Sequence, residues 1–111
     1  MNILDYWHVK LAEECAEVQH RCMKILQFGP NEVQDGHEQD NATRLQKEIF
    51  DLLSVIALME HAGAIEKISG QELELAREAK RTKLRKYFAL SMDLGRIEGG
   101  PEMFDGPVAA P

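Results

Sequence analysis

The stretch that decides the fold runs from Glu48 to Met59 and reads EIFDLLSVIALM. Its apolar residues recur at steps of three and four, which predicts a helix. Apolar positions occupy most of the circumference of this helix, as is typical of a helix in the middle of a bundle or an interface. Glu48 and Asp51 belong to the same stretch. A carboxylate that enters such a core costs free energy unless something pairs with it.

The same periodicity predicts two further helices. The first runs from about Asn2 to Gln27, with an apolar stripe formed by Leu4, Trp7, Leu11, Cys15, Val18, Cys22 and Ile25. The central helix starts at Asp40 or Asn41 and ends near His61.

A short element, Ala64 to Ile68, leads from the central helix to the last one. The capping box formed by Ser69 and Glu72 opens this third main helix, which extends to about Leu94. No strand is predicted. The expectation is an all-α helical bundle of three main helices plus a short helix. The apolar surface of the central helix indicates a four-helix-bundle core completed by dimerisation.

Length and charge limit the classes of protein to consider. The chain has 111 residues, which suits one domain, predicted over residues 1–94, with an irregular tail rich in Gly and Pro over 95–111. The formal net charge of -6 argues against a nucleic-acid-binding surface. No stretch is apolar enough to span a membrane, and no signal peptide is evident, so a cytoplasmic location is expected. Cys15 and Cys22 lie on the apolar stripe and are expected to be buried free thiols.

A second acidic cluster, Glu13-Glu14-Cys15-Ala16-Glu17, lies on the first helix. Glu14 and Glu17 are neighbours at (i, i+3) spacing on the edge of the apolar stripe, whereas Glu13 points further away. Glu48 and Asp51 have the same spacing on the central helix. If these flanks face each other, four carboxylates surround one volume and repel unless a divalent cation lies between them. Mg²⁺, which prefers hard oxygen ligands, is the expected cation.

The alternative for these acids is a solvated helix surface. They would then form ion pairs with nearby cations, for which the candidates are Lys10, Arg21, Arg44 and Lys47. A di-iron site is not expected, because the E-x-x-H element from Glu17 to His20 occurs only once.

The third helix carries a basic flank beside Tyr87. Lys80 and Lys83 are the candidates for contacting substrate phosphates, and the alternative is a solvated helix face. Trp7 and Tyr87 are candidates for stacking on a base, although both lie on apolar stripes, where such a side chain more often packs in a core.

The pattern Glu13-Glu14-x-x-Glu17, followed after a loop by Glu48-x-x-Asp51, resembles the signature of the MazG-like nucleoside triphosphate pyrophosphohydrolases. These enzymes belong to the all-α NTP pyrophosphatase superfamily. The resemblance covers roughly residues 4–90, and the gap of 30 residues between Glu17 and Glu48 indicates an enlarged loop.

The resemblance implies an enzyme that hydrolyses a nucleoside or deoxynucleoside triphosphate to the monophosphate and pyrophosphate. It implies Mg²⁺ (or Mn²⁺ as a substitute) held by Glu14, Glu17, Glu48 and Asp51, with Glu13 assisting the attacking water. It also implies a homodimer or a dimer of dimers. Two alternatives remain open: a phosphoribosyl-ATP pyrophosphohydrolase, and a non-catalytic helical interaction module.

Overall fold

The computed structural model describes residues 1–104, and its regular structure is entirely helical. Helix α1 spans Ile3–Phe28, α2 spans Asn41–His61 and α3 spans Gly70–Asp93. The predicted all-α class is confirmed. Residues 105–111, part of the predicted irregular tail, lie outside the described residues.

The short helix lies elsewhere than expected. A 3-10 helix spans Pro101–Phe104, whereas Ala64 to Ile68 forms bends and irregular backbone. Gly63, with a φ of 76°, and Gly70 flank the latter segment. So short a segment makes too few helical hydrogen bonds to offset the cost of nucleating a helix.

Side-chain caps fix the starts of α2 and α3. The Asp40 carboxylate accepts a hydrogen bond from the Thr43 backbone N–H at 2.8 Å. The Ser69 hydroxyl accepts one from the Glu72 backbone N–H at 3.0 Å. Each cap satisfies a donor that the first turn of a helix leaves without an intrahelical partner. The predicted starts of both helices therefore agree with the structure.

The chain divides into two compact units, Met1–Lys67 and Ile68–Pro111. The first unit contains α1 and α2, which pack against each other. Its helices run antiparallel, because the end of α1 at Gly29 is hydrogen-bonded to the start of α2 at Asn41. The second unit contains α3 and the 3-10 helix.

The connection between α1 and α2 is fixed through one buried amide. Asn41 is 1% exposed, and its Nδ2 donates to the Gly29 carbonyl at 3.0 Å and to Glu32 Oε2 at 2.7 Å. The Asn41 backbone N–H also donates to the Glu32 carbonyl at 3.1 Å. Buried polar groups need such partners. Asn41 therefore sets where the loop leaves α1 and where α2 begins.

The α1–α2 seam consists of the less exposed residues at steps of three and four along the two helices. On α1 these are Trp7, Leu11, Glu14, Val18, Arg21 and Ile25, and on α2 they are Asn41, Leu45, Glu48, Leu52, Val55 and Met59. Four of these twelve residues are polar. Such residues in a helix–helix seam lower stability unless they have partners or a function.

Both cysteines are free, as predicted, but they are exposed rather than buried. Cys15 and Cys22 directly follow Glu14 and Arg21, which are in the seam. One residue rotates the side chain by about 100° around a helix, which carries both thiols away from α2. The prediction of buried thiols was wrong because the seam keeps most of the apolar stripe but contains Glu14 and Arg21 in place of Cys15 and Cys22.

Helix α3 of the second unit buries none of its residues. Its large apolar side chains, among them Leu75, Leu84 and Leu90, are exposed to solvent. A ring contact joins Phe88 to Phe104 of the 3-10 helix, with centroids 5.3 Å apart. Within its own unit, α3 therefore presents a helix surface and encloses no core.

Candidate metal and phosphate site

Three carboxylates meet at the middle of the first unit. Glu14 and Glu17 lie one turn apart on α1, and Glu48 lies opposite on α2. One oxygen of each residue lies within 4.8 Å of an oxygen from each of the others. We call these three residues the carboxylate cluster. The antiparallel packing of α1 and α2 brings together two motifs that 30 residues of sequence separate.

Two oxygens of the carboxylate cluster are buried without a hydrogen-bond partner among the described residues. These are Glu14 Oε2 and Glu48 Oε2. Leaving a buried polar atom unsatisfied costs about 1–3 kcal/mol, and more for a charged group. Native proteins keep few such atoms, so each calls for a ligand, an ion or a functional reason.

The surroundings raise the pKa of two of these carboxyls. For Glu14 the main cause is desolvation, followed by the negative charges of Glu17 and Asp51. For Glu48 desolvation is again the main cause of the raised pKa, followed by the close approach of the Glu17 carboxylate and its negative charge. Both effects favour the uncharged acid. A divalent cation would reverse them by stabilising the ionised carboxylates.

The spacing of the carboxylate cluster fits a cation with oxygen ligands. Opposite ligands lie about 4.2 Å apart around Mg²⁺ and about 4.6–5.2 Å apart around Ca²⁺, twice the usual metal–oxygen distances. The three carboxylate oxygens lie within 4.8 Å of one another, a separation that one such ion can bridge. Carboxylate oxygens are also the donors that Mg²⁺, Mn²⁺ and Ca²⁺ prefer.

Asp51 lies beside the carboxylate cluster but is not one of its three members. It is exposed, it lines the same cavity as Glu17 and Glu48, and its charge contributes to the raised pKa of Glu14. Asp51 therefore lies next to the three carboxylates with which the sequence groups it as a fourth metal ligand.

Glu13 behaves differently from its neighbour Glu14. Its Oε2 pairs with Lys10 Nζ at 3.1 Å on the exposed side of α1. The surface ion pair that we considered as an alternative thus applies to Glu13. In the described part of the chain, no ion pair within 4.0 Å involves the carboxylate cluster or Asp51.

A cavity of about 700 Å³ opens beside the carboxylate cluster. Glu17, Glu48 and Asp51 line it together with Arg44 and Lys47 of α2, and the loop residues 36–39 form the rest of the wall. Its volume lies within the range of about 300–1,000 Å³ that is usual for small-molecule sites. A cavity lined by both acids and cations is suited to an anion that is bound to a metal ion, because the acids can hold the metal and the cations can contact the anion.

A smaller cavity of about 330 Å³ also borders the carboxylate cluster. It is lined by Ala16, Glu17, His20, Arg21 and Glu48. Glu17 and Glu48 line both cavities, so each cavity borders the carboxylate cluster.

The sequence reasoning missed the cations of these cavities. It considered Arg21, Arg44 and Lys47 only as ion-pair partners for surface acids. In the structure, Arg44 Nη1 donates to Gln34 Oε1 at 3.0 Å. Their spacing from Glu48 was the signal that could have indicated a place near the site, because Arg44 precedes Glu48 by four residues and Lys47 precedes it by one residue on the same helix.

The predicted substrate-binding residues are distributed over both units. Lys80 and Lys83 are exposed on α3, and Tyr87 is 52% exposed with Lys86 Nζ 6.0 Å from its ring centroid. Trp7 is half-buried on α1. Substrate contacts of these four predicted residues stay predictions.

Comparison with protein families, with curated proteins and with solved structures finds no match to this chain. The function of this chain is therefore inferred from its residues and their geometry. Among residues 1–104, no helix combines the length and the apolar character needed to cross a membrane.

Proposed function

We propose that this chain is a Mg²⁺-dependent hydrolase that cleaves a nucleoside or deoxynucleoside triphosphate to the monophosphate and pyrophosphate. The observation that carries the proposal is the carboxylate cluster, in which two buried oxygens have no hydrogen-bond partner in the described chain. A purely structural role would leave these atoms paired with cations or exposed to water.

Glu14, Glu17 and Glu48 would hold the metal ion, and Asp51 would complete the set from the rim of the larger cavity. When bound, Mg²⁺ neutralises phosphate charge and lowers the pKa of a coordinated water. The protein residues position the ion, and a carboxylate that is free of metal can accept the proton of the attacking water. Phosphoryl transfer depends mainly on such positioning and charge neutralisation, so no Ser or Cys nucleophile is needed.

The resemblance of the two acidic motifs to those of the MazG-like enzymes supports this choice of reaction. The geometry supports it too, because two acidic motifs that share a metal ion must lie close together, and the E-x-x-E element of α1 lies against Glu48 of α2. The larger cavity has the volume and the cations to accept a nucleotide. The base and the sugar of that nucleotide are left to the substrate screen below.

A homodimer is part of the proposal. The outer face of α2 exposes large apolar side chains, with Phe50 59%, Leu53 57% and Leu58 52% accessible. A contiguous apolar surface of this kind is typical of an interface. Covering it with a second copy would complete a four-helix core and would be consistent with the expected dimer or dimer of dimers.

The test is a screen of all NTPs and dNTPs, together with phosphoribosyl-ATP, in the presence of Mg²⁺. Pyrophosphate and orthophosphate are detected separately. We expect pyrophosphate release from at least one substrate, loss of activity with EDTA, and loss in Glu48→Gln. Orthophosphate as the primary product, or turnover unaffected by Glu48→Gln, would contradict the proposal. Turnover of phosphoribosyl-ATP alone would select that alternative.

A further inference from the structure

Arg21 is the one basic residue of the smaller cavity, and its position is unusual for a cation. It follows Glu14 by seven residues on α1, which places both residues in the α1–α2 seam. Its Nη1 is buried and has no hydrogen-bond partner among the described residues. A buried guanidinium nitrogen without an acceptor costs free energy, because the donor has lost its water. An acceptor that binds there removes this cost, and its binding is strengthened accordingly.

The nearby acids do not supply this acceptor. Glu17 and Glu48 line the same cavity as Arg21, but neither forms an ion pair with it within 4.0 Å in the described part of the chain. In a metal-bound site these carboxylates would be engaged by the cation. Arg21 would then keep its donors for another anion. The planar guanidinium is well suited to phosphate, which it can bind through two parallel hydrogen bonds.

The two cavities that border the carboxylate cluster differ in volume. The larger, of about 700 Å³, has room for a nucleoside, whereas the smaller, of about 330 Å³, is near the lower limit for a small-molecule site. Glu17 and Glu48 line both cavities. A triphosphate cleaved at these carboxylates could therefore place its nucleoside part in one cavity and its pyrophosphate part in the other.

We propose that Arg21 binds the pyrophosphate part of the substrate in the smaller cavity, while the nucleoside monophosphate part occupies the larger one. This inference rests on the proposed function and deepens it by assigning a residue to the leaving group. His20, which lines the same cavity, is the other neighbouring side chain that can donate a hydrogen bond to this anion.

The test measures binding of inorganic pyrophosphate with Mg²⁺ by isothermal titration calorimetry, so that no turnover is needed. We compare the wild type with Arg21→Gln, Arg21→Lys and Lys24→Gln. Lys24 is the matched control, because it is a half-buried cation three residues further along α1 that lines neither cavity of the carboxylate cluster. Product nucleoside monophosphate is titrated in parallel.

We expect Arg21→Gln to weaken pyrophosphate binding about 10- to 100-fold, the loss typical of a hydrogen bond between charged groups. Nucleoside monophosphate affinity should change less than about threefold, and Lys24→Gln should change both affinities less than about threefold. Arg21→Lys should recover part of the loss, because it retains the charge but not the fork of donors.

Several outcomes would overturn the inference. Unchanged pyrophosphate affinity in Arg21→Gln is one, and an equal loss in Lys24→Gln is another, since that would reflect net charge alone. A drop in melting temperature or a change in oligomeric state that accounts for the loss, with no recovery in Arg21→Lys, would show a structural role instead.

The same measurements separate this inference from the proposed function. If the wild type hydrolyses a nucleotide in a Glu48-dependent way but Arg21→Gln binds pyrophosphate normally, only the role of Arg21 is wrong. If pyrophosphate binds through Arg21 but no nucleotide is hydrolysed, the proposed function is wrong and the anion site stands. If the wild type neither binds pyrophosphate nor hydrolyses any nucleotide, both are wrong.

Discussion

The α1–α2 pair and helix α3 differ in what their polar residues do. In the first unit, charged residues enter a helix–helix seam, where Glu14 and Glu48 keep buried oxygens that have no hydrogen-bond partner within residues 1–104. On α3 no residue is buried, and the described ion pairs join neighbours on its exposed surface, such as Arg77 with Glu74 at 3.4 Å. Surface pairs of that kind contribute little, whereas desolvated charges are costly. A functional role is therefore most strongly indicated in the first unit.

Removing one carboxylate of the seam should give the largest effect. We expect Glu48→Gln to lower kcat/KM for pyrophosphate release by more than about 100-fold, because the variant would lose one of the proposed metal ligands. Glu66→Gln is the matched control, since Glu66 is an exposed acid of the same unit that lies outside both cavities. Steady-state kinetics with separate detection of pyrophosphate measure both. Equal activities would mean that the buried carboxylate is not part of an active site.

The packing of the first unit can be tested at its one fully buried apolar side chain. Met59 is 0% exposed, whereas Met23 on α1 is 50% exposed. We expect Met59→Ala to lower the free energy of unfolding by about 2–5 kcal/mol through lost burial and a cavity. Met23→Ala should change it by less than about 0.5 kcal/mol. Urea unfolding followed by circular dichroism gives both values, and similar losses would contradict the seam described here.

The sequence predicted the helices of both units well because their signals are local. Asp40 and Ser69 cap helices where short polar side chains precede periodic apolar residues. The register of the seam was less predictable, because it depends on how two helices meet. The predicted stripe and the seam differ at two positions, where Glu14 and Arg21 take the places expected for Cys15 and Cys22, so the thiols were wrongly expected to be buried.

The carboxylate cluster could be anticipated from the (i, i+3) spacing of Glu14 and Glu17 and from the place of Glu48 beside the apolar stripe of α2, whereas Asp51, the fourth acid of the two motifs, lies exposed beside it. The cations beside it were less predictable, because spacing places Arg44 and Lys47 near Glu48 but does not distinguish a cation that lines a cavity from one in solvent. Arg21 illustrates this: its place beside Glu17 and Glu48 depends on the contact between α1 and α2.

Metal binding should change how the stability of the first unit depends on pH. The pKa of Glu48 is raised in the folded chain above its ordinary value of 4.5, mainly by desolvation. Without metal, its protonated form favours folding below that value, and this contribution is lost as pH rises through the raised pKa. We therefore expect the unfolding free energy of the wild type, relative to Glu48→Gln, to fall as pH rises above 4.5.

Mg²⁺ should reverse this trend by binding the ionised carboxylates. At a concentration of 100 times Kd it would add about 2.7 kcal/mol to the folded state. Melting temperatures with and without Mg²⁺ at pH 5 and pH 8 measure the effect, which should be larger at pH 8 because protons compete with the ion. A shift of equal size in Glu48→Gln would show that Mg²⁺ binds elsewhere.

The smallest effect is expected on α3, where the predicted phosphate contacts Lys80 and Lys83 are exposed. If this flank approaches the substrate, the double variant Lys80→Gln, Lys83→Gln should raise KM about 3- to 10-fold with kcat unchanged, as expected for a loss of electrostatic attraction to a polyphosphate. The rise should shrink at high salt, since exposed charges are screened. The control is the double variant Lys24→Gln, Lys67→Gln, which removes the same amount of positive charge from the first unit. A KM equal to that of this control would identify the flank of α3 as solvated surface and confine substrate binding to the seam.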